Sequence, residues 1–117
     1  MNIEDLRVFC LALPHTSEGF PFDEDTLVFK VAGKMFCLAS LQASDRINLK
    51  CDPELALQLR EQYPCVLPGY HMNKKMWNTV ILDGSVPRKT LEQWIMHSYN
   101  QVVAGLPKKT QNELGFL

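Results

Sequence analysis

The sequence predicts an α+β fold in which an N-terminal and a long C-terminal helix cover one face of a small antiparallel sheet. Apolar residues recur at helical spacing near both ends of the chain, and residues 27–50 show strand patterns separated by short turns. The predicted order is helix, antiparallel strands, helix, strand and helix, which is typical of α+β proteins. At 117 residues the chain is expected to form one domain over residues 1–117.

The first predicted helix begins after Asn2, whose side chain can cap it, and extends to about Leu13. Pro14 ends this helix, because the residue before a proline is pushed out of the helical region. A turn is expected through residues 15–19, and the acidic run 23–25 precedes the first strand.

Two strands, Leu27–Val31 and Met35–Ala39, are predicted to form a hairpin with alternate apolar side chains on one face. The loop between them is expected to be Gly33-Lys34, with Gly33 supplying the positive φ that a type II′ turn requires. Arg46–Lys50 alternates polar and apolar residues, which predicts a third, half-exposed strand.

The second helix is predicted to begin after Asp52, a capping carboxylate followed by a proline, and to end before Pro64. Trp77–Leu82 is rich in β-formers and predicts a further strand. Pro87 opens the longest predicted helix, which extends to about Leu106 and is followed by a polar tail.

The composition is typical of a soluble globular protein, with 46% apolar and 21% charged residues. No apolar run approaches the roughly 20 residues that a bilayer helix needs, so no membrane association is expected. The acidic N-terminus lacks the basic region of a signal peptide, which predicts a cytoplasmic location. The four cysteines form no CxxC pair and are expected to be buried, inert thiols.

The net charge of −1 conceals an uneven distribution. Residues 1–63 hold six Lys/Arg and ten Asp/Glu, which gives −4, whereas residues 64–117 hold six and three, which gives +3. The overall pI of about 6.3 is below that of a strong nucleic-acid binder. A local basic patch on the C-terminal half is compatible with these values.

The segment Pro68–Val80 concentrates residue types that recognise ligands. A histidine, an asparagine and two lysines lie between a Pro-Gly turn and the strand that begins at Trp77. Loops held by a rigid element often carry binding residues. Trp77 itself is expected to lie in the core as an anchor for this loop, and Trp94 is also expected to be a core residue.

Enzyme and metal-site motifs do not occur in the sequence. His15, His71 and His97 are far apart, and there is no Walker loop, HExxH, GxSxG or GxGxxG pattern. His97 is expected to be a solvated residue of the last helix. Asp23 and Asp25 could converge on a cation, but no EF-hand spacing follows, so a solvated turn is expected. We predict that the protein is not an enzyme and has no cofactor and no metal.

Cationic residues at predicted hairpin tips, loops and helix starts favour contacts to phosphates, and the neighbouring amide and imidazole groups could reach bases or sugars. Lysines at sheet edges can instead serve to prevent association between sheets. The predicted nucleic-acid-binding residues are Lys30, Lys34, His71, Asn73, Lys74, Lys75 and Arg88.

Several motifs in the same order resemble the MmcQ/YjbR family of small bacterial proteins over essentially the whole chain. They are Gly19–Phe22, Leu27–Val31, Gly33–Phe36, Pro68–Lys75, Trp77–Val80, Leu82–Ser85 with Pro87, and Ser98–Tyr99 followed by Val102–Val103.

This resemblance implies a bacterial cytosolic protein with a fold like that of the CyaY/frataxin group. It also implies the family's usual description as predicted DNA-binding proteins with a double wing of paired hairpins. One wing would be the hairpin around Gly33-Lys34, and the other would involve the strands near His71–Leu82.

Two departures limit what the resemblance implies. Family relatives often carry a histidine immediately before the tryptophan, where this chain has Met76, which counts against imidazole chemistry at that position. Frataxin-type proteins bind metal through an acidic first helix, but here that helix offers only Glu4 and Asp5.

We therefore predict a non-enzymatic protein that binds DNA weakly through basic hairpin wings. The alternatives are a small-molecule or peptide binder with a pocket near His71, Asn73 and Trp77, and an enzyme of unknown type. A continuous positive surface favours nucleic acid, whereas a neutral cleft favours a small ligand.

Overall fold

The centre of the protein is one antiparallel sheet with the strand order β1-β2-β3-β4-β6-β5. The computed structural model describes residues 1–69 and 72–117. The strands are Thr16–Gly19 (β1), Thr26–Val31 (β2), Lys34–Ser40 (β3), Arg46–Lys50 (β4), Val66–Pro68 (β5) and Trp77–Ile81 (β6). The helices are Ile3–Leu11 (α1), Pro53–Gln62 (α2), Arg88–Ala104 (α3) and Lys108–Glu113 (α4). The predicted α+β class is confirmed.

The helices pack against one face of the sheet, which we call the covered face. Leu27, Phe29 and Val31 all point into this core, as their alternation predicts. Helix α3 crosses the middle of the face, where the buried Ser98 hydroxyl donates to the Phe36 carbonyl and accepts from the Lys50 N–H, at 2.5 and 2.8 Å. One helix residue thus joins two neighbouring strands.

A β-bulge at Phe36 changes which side chains of β3 reach the covered face. Phe29 pairs with Cys37 and Lys30 pairs with Met35, so Phe36 is an extra residue between the two pairs. Phe36 and its neighbour Cys37 are therefore both buried in the same core, contrary to simple alternation.

The predicted starts of α1, α2 and α3 are confirmed, whereas α1 and α3 each end two residues before the predicted Leu13 and Leu106. The Asn2 side chain accepts from the Asp5 N–H, and Asp5 returns the bond to Asn2, which forms a capping box. Asp52 caps α2 by accepting from the Leu55 N–H at 3.2 Å. Helix α3 starts directly after Pro87.

The predicted type II′ turn at Gly33-Lys34 is wrong. The two loop residues are Ala32 and Gly33, with φ of 49° and 80°, and Lys34 is already the first residue of β3. Two consecutive positive φ values define a type I′ turn, whose twist matches that of the flanking strands.

Three elements lie where the sequence predicts turn or tail. Strand β1 occupies the predicted turn 15–19, and its register is set by pairing with β2. Strand β5 has only three residues and pairs with β6. Helix α4 has no apolar stripe; its buried Gln111 donates from Nε2 to the Leu106 carbonyl at 2.7 Å. Strands β1 and β5 are defined by pairing with other strands, and α4 has no apolar periodicity, so no local pattern indicates these elements.

All four cysteines are buried free thiols, as predicted. Trp77 is 8% exposed, which confirms its core position. Trp94 is only partly buried, and it packs edge-to-face on Tyr63 with 5.0 Å between ring centroids. Among the described residues, no helix has the length and apolar content needed to cross a membrane.

Candidate nucleic-acid interface

The sheet face opposite the helices, which we call the open face, has its own small apolar cluster. Trp77 lies at its centre, on the first residue of β6, and three partly buried methionines pack around it. Methionine side chains are flexible and polarisable, so they adapt to varied partners. The cluster comprises Val28, Leu38, Trp77, Met35, Met72 and Met76.

Strand register brings lysines from separate segments to one end of the sheet. Lys30 pairs with Met35 and shares the open face with it, while Lys50 pairs with Trp77 on the same face. Lys34 starts β3 beside the hairpin turn and is exposed.

Lys74 and Lys75 lie at the same end, because their loop leads directly into Trp77. Both side chains are exposed, and the loop is joined to the end of β4 by the Cys51 N–H, which donates to the Met76 carbonyl at 2.8 Å. We call this region the lysine end. Its residues are Lys30, Lys34, Lys50, Lys74 and Lys75.

Asn73 shapes the lysine-bearing loop. Its Oδ1 accepts from the Lys75 N–H at 2.9 Å, and its carbonyl accepts from the Met76 N–H at 3.1 Å. The predicted contact residue Asn73 is exposed and lies at the lysine end. His71, which was predicted together with it, lies outside the described residues.

Arg60 on α2 hydrogen-bonds this loop and the start of β6. Its Nε donates to Asn78 Oδ1 at 2.7 Å, and its terminal nitrogen donates to the Trp77 carbonyl at 3.2 Å and to the Lys74 carbonyl. Asn78 is itself buried. One half-buried guanidinium thus fixes three points of the segment 74–78, and nothing in the sequence of α2 indicates this role.

Gly69 allows the chain to pass directly against Trp77. The Gly69 N–H donates to the Trp77 carbonyl at 2.9 Å. A Cβ at Gly69 would lie 2.8 Å from the Trp77 Cβ and 2.9 Å from its carbonyl oxygen, which are clashing distances. The Pro-Gly pair therefore serves close backbone packing as well as the turn that the sequence predicts.

Arg88 is not brought to the lysine end. It begins α3, after β6 has run to the opposite end of the sheet. Its guanidinium lies 3.7 Å from Asp5 and 3.7 Å from Glu92. Its neighbours are carboxylates of the helical layer, so it is separate from the other predicted contact residues.

Carboxylates gather at the end of the sheet opposite the lysines, which we call the acidic end. The Asp25 carbonyl accepts from the Leu41 N–H and the Asp45 carbonyl accepts from the Leu82 N–H, so both lie where β3 and β6 finish. The acidic end comprises Asp23, Glu24, Asp25, Asp45 and Asp83. At the lysine end, Asp52 follows Lys50, but its side chain caps α2.

The acidic run 23–25 is a hydrogen-bonded turn. Asp23 Oδ1 accepts from the N–H groups of Thr26 and Asp25, at 2.6 and 2.9 Å, which lowers the pKa of Asp23. Within residues 1–69 and 72–117, no three His, Cys, Asp or Glu side chains come together as a possible metal ligand set.

A groove of about 360 Å³ lies on the open face, on the side of the cluster nearer the acidic end. Asn48 Oδ1 accepts from the Thr79 hydroxyl across two neighbouring strands at 2.6 Å. The guanidinium of Arg46 is 46% exposed and bonds its neighbour Asp45 at 3.1 Å. Residues that line the groove include Leu38, Ala43, Arg46, Asn48, Met72 and Thr79.

The described histidines are both engaged with backbone groups. His97 is half-buried, and its Nε2 accepts from the Asp52 N–H at 3.1 Å, so the prediction of a solvated side chain is wrong. The His15 Nε2 lies 2.8 Å from the Leu114 carbonyl.

Two of the buried cysteines have suppressed ionisation. A hydrogen bond with Cys10, together with burial, raises the pKa of Cys37, and burial with the nearby Asp52 charge raises the pKa of Cys51 to about 11. These thiols are protonated near neutral pH and are therefore poor nucleophiles.

The fold and site define a small α+β protein whose single sheet has a helix-covered face and an open face with lysines at one end. The YjbR family model matches residues 11–101, and the chain belongs to this family. The resemblance inferred from the sequence is thereby confirmed.

Known relatives match nearly the whole chain. The uncharacterized protein YbdF of Escherichia coli O157:H7 is 39% identical over 112 residues, which cover 95% of this chain and 92% of that protein. The uncharacterized protein YjbR of Escherichia coli K12 is 34% identical over 115 residues, which cover 97% and 98%.

Solved structures show the same architecture. Deinococcus radiodurans protein DR2400, a DUF419 domain, superposes with a TM-score of 0.92 at 44% identity, covering 97% of this chain and 88% of that one. A Pseudomonas syringae protein superposes with a TM-score of 0.74 at 28% identity, covering 86% and 98%.

Proposed function

We propose that the protein binds nucleic acid through the lysine end and does so without chemical transformation. The observation that carries this proposal is the convergence of Lys30, Lys50, Lys74 and Lys75, which come from three separate segments of the chain. Lysine ammonium groups are donors for phosphate oxygens, and several in one region form the electrostatic footprint of a nucleic-acid site.

The two wings that the resemblance implies would border this region. The β2–β3 hairpin carries Lys30 and Lys34, and the loop before β6 carries Asn73, Lys74 and Lys75. DNA is the nucleic acid that the resemblance implies, and both its duplex and its single-stranded form are to be tested. Arg88 is left out of the contact set, because it is ion-paired in the helical layer at the other end.

Binding without catalysis is supported by the described titratable groups. The rings of His15 and His97 are bonded to backbone groups. The raised pKa values of Cys37 and Cys51 disfavour a thiolate nucleophile.

Salt dependence offers the first test, by fluorescence anisotropy with labelled duplex and single-stranded DNA. With about four phosphate contacts, affinity should fall roughly 10²-fold between about 50 and about 200 mM salt. Absence of binding to either DNA at about 50 mM salt, where screening is modest, contradicts the proposal.

A matched pair of variants then locates the site. Lys74→Ala/Lys75→Ala should weaken binding and reduce the slope of log affinity against log salt by about 2. Arg88→Ala/Lys89→Ala removes the same charge from the other end and should leave both quantities unchanged. An equal loss in the two variants would place the interface elsewhere.

The groove on the open face supports a second candidate, a small-molecule binder. Its volume of about 360 Å³ is within the range of ligand pockets, and Met72 places it near the predicted pocket region. Thermal-shift screening tests it: a compound that stabilises the wild type but not Ala43→Trp, which fills the groove, favours this candidate.

A further inference from the structure

We propose that the groove on the open face receives a base of single-stranded nucleic acid, whose phosphates lie along the lysine end. This inference rests on the proposed function and specifies its ligand as an unpaired strand. Three features of the groove carry it: its exposed donors, its apolar floor and its continuity with the lysines.

Two side chains that line the groove, Arg46 and Asn48, carry hydrogen-bond donors. Asn48 Oδ1 accepts from the Thr79 hydroxyl at 2.6 Å, and within residues 1–69 and 72–117 the amide nitrogen of Asn48 is left to bond a ligand. Arg46 adds a half-exposed guanidinium. Base edges carry carbonyl and ring-nitrogen acceptors, which an asparagine amide or an arginine can bond in the base plane.

The floor of the groove is apolar and continues into the methionine cluster. Leu38 belongs both to the groove and to the cluster around Trp77, and Met72 extends over both. A base presents a flat, weakly hydrated face that packs well on such a surface. A base has hydrogen-bond acceptors on its edge and an apolar face. It therefore matches both the donors and the apolar floor of the groove.

Strand β4 carries two residues of the groove, Arg46 and Asn48, and one residue of the lysine end, Lys50. Arg46, Asn48 and Lys50 alternate onto the open face of β4, so Asn48 lies about 7 Å from Lys50 along the strand. A phosphate at Lys50 thus places its own or the neighbouring base within reach of Asn48.

Only an unpaired strand can use this arrangement fully. In a duplex the bases are stacked and paired inside the backbone, and turning one out breaks its stacking and pairing. Sequence-tolerant single-strand sites combine a positive track with aromatic side chains on which bases stack. On the open face the lysines supply the track, and Leu38 and the methionines supply an apolar surface in place of an aromatic ring.

The test compares an oligothymidylate with a duplex of the same length at about 50 mM salt. We expect the single strand to bind about tenfold more tightly. Ala43→Trp, which fills the groove, and Asn48→Ala, which removes its donor, should each remove most of this preference without changing the salt slope. Ala104→Trp, at the exposed end of α3, is the control and should behave as the wild type.

The outcomes separate this inference from the proposed function. Duplex binding at least as tight as single-strand binding, or an unchanged preference in Ala43→Trp, overturns the inference alone. Failure of both oligonucleotides to bind overturns the proposed function as well. Binding of thymidine monophosphate as tightly as the oligothymidylate would instead identify the groove as a small-ligand site. Folding of each variant is verified by circular dichroism.

Discussion

The same strands form both faces of the sheet, but the covered face is buried beneath helices and the open face is partly exposed. On the covered face, Phe29, Phe36 and Ile47 are fully buried beneath helices and have 0% exposure. On the open face, Trp77 packs among partly buried methionines, and Lys50 is its partner on the neighbouring strand. The comparison shows that one face provides the stability of the fold, while the other keeps adaptable and charged groups at the surface.

The largest expected effect distinguishes the two faces by stability. Phe29→Ala should cost about 3–5 kcal/mol in the free energy of unfolding, because it leaves a cavity in the closed core. Met35→Ala on the open face should cost only about 1 kcal/mol, because its side chain is partly exposed in the folded state. Urea denaturation measures both, and equal losses would contradict the comparison.

Arg60 joins α2 in the helical layer to the lysine-bearing loop, and its removal should affect both stability and nucleic-acid binding. Arg60→Ala should cost about 1.5–3 kcal/mol, because it removes charge-assisted hydrogen bonds to the loop and to buried Asn78. Nucleic-acid affinity should fall with an unchanged salt slope, since Arg60 positions lysines rather than contacting phosphates. Arg46→Ala, which removes an exposed guanidinium, is the stability control. A reduced slope in Arg60→Ala would instead indicate direct phosphate contact.

Gly69 tests how closely the loop must pack against Trp77. Gly69→Ala should destabilise the fold by about 1–3 kcal/mol, because the added methyl group clashes with Trp77. Gly19→Ala meets no atom within 4 Å and should be neutral or slightly stabilising. Thermal unfolding of the two variants tests this expectation. Similar melting temperatures would mean that the loop moves away from Trp77 without loss of stability.

The smallest expected effect concerns the ion pair between α1 and β1 at the margin of the covered face. Arg7 donates to Glu18 at 2.6 Å, which lowers the pKa of Glu18. The stabilisation is therefore present above the ordinary glutamate pKa of about 4.3 and is lost as pH falls through the lower folded value.

Glu18→Gln should accordingly reduce stability by less than about 1 kcal/mol at neutral pH, since the pair is partly exposed. The difference from the wild type should vanish in acid. Melting temperatures across this pH range measure it, and a difference that does not shrink as the pH falls below the ordinary glutamate pKa would exclude the ionised pair as its cause.

Sequence periodicity predicted the covered face well, because burial imposes a repeating apolar pattern. The faces of β2 and α3 and the caps of α1 and α2 followed from local residues alone. The bulge at Phe36 and the strands β1 and β5 could not be predicted this way. They depend on the register of pairing with a neighbouring strand, which the apolar pattern of the segment itself does not encode.

The open face was predicted only in part for the same reason. Lys74 and Lys75 were identified because they adjoin a recognisable loop. Lys50 was missed, because its proximity to Trp77 arises from the pairing of β4 with β6, which are far apart in sequence. The sequence did contain one signal for Lys50: it alternates with Asn48 along the predicted strand, which places both side chains on the same face. Arg60 gave no signal, since a single arginine on the polar side of a helix is commonplace.

The opposed lysine and acidic ends give the molecule an electric dipole along its strands. A net charge of −1 provides no overall attraction to a polyanion. The dipole nevertheless turns the lysine end toward a negative surface before contact, which raises the fraction of collisions that arrive in a productive orientation. Its main influence is therefore on the association rate, and this influence weakens once the Debye length, about 10 Å at 0.1 M salt, becomes shorter than the separation of the two ends.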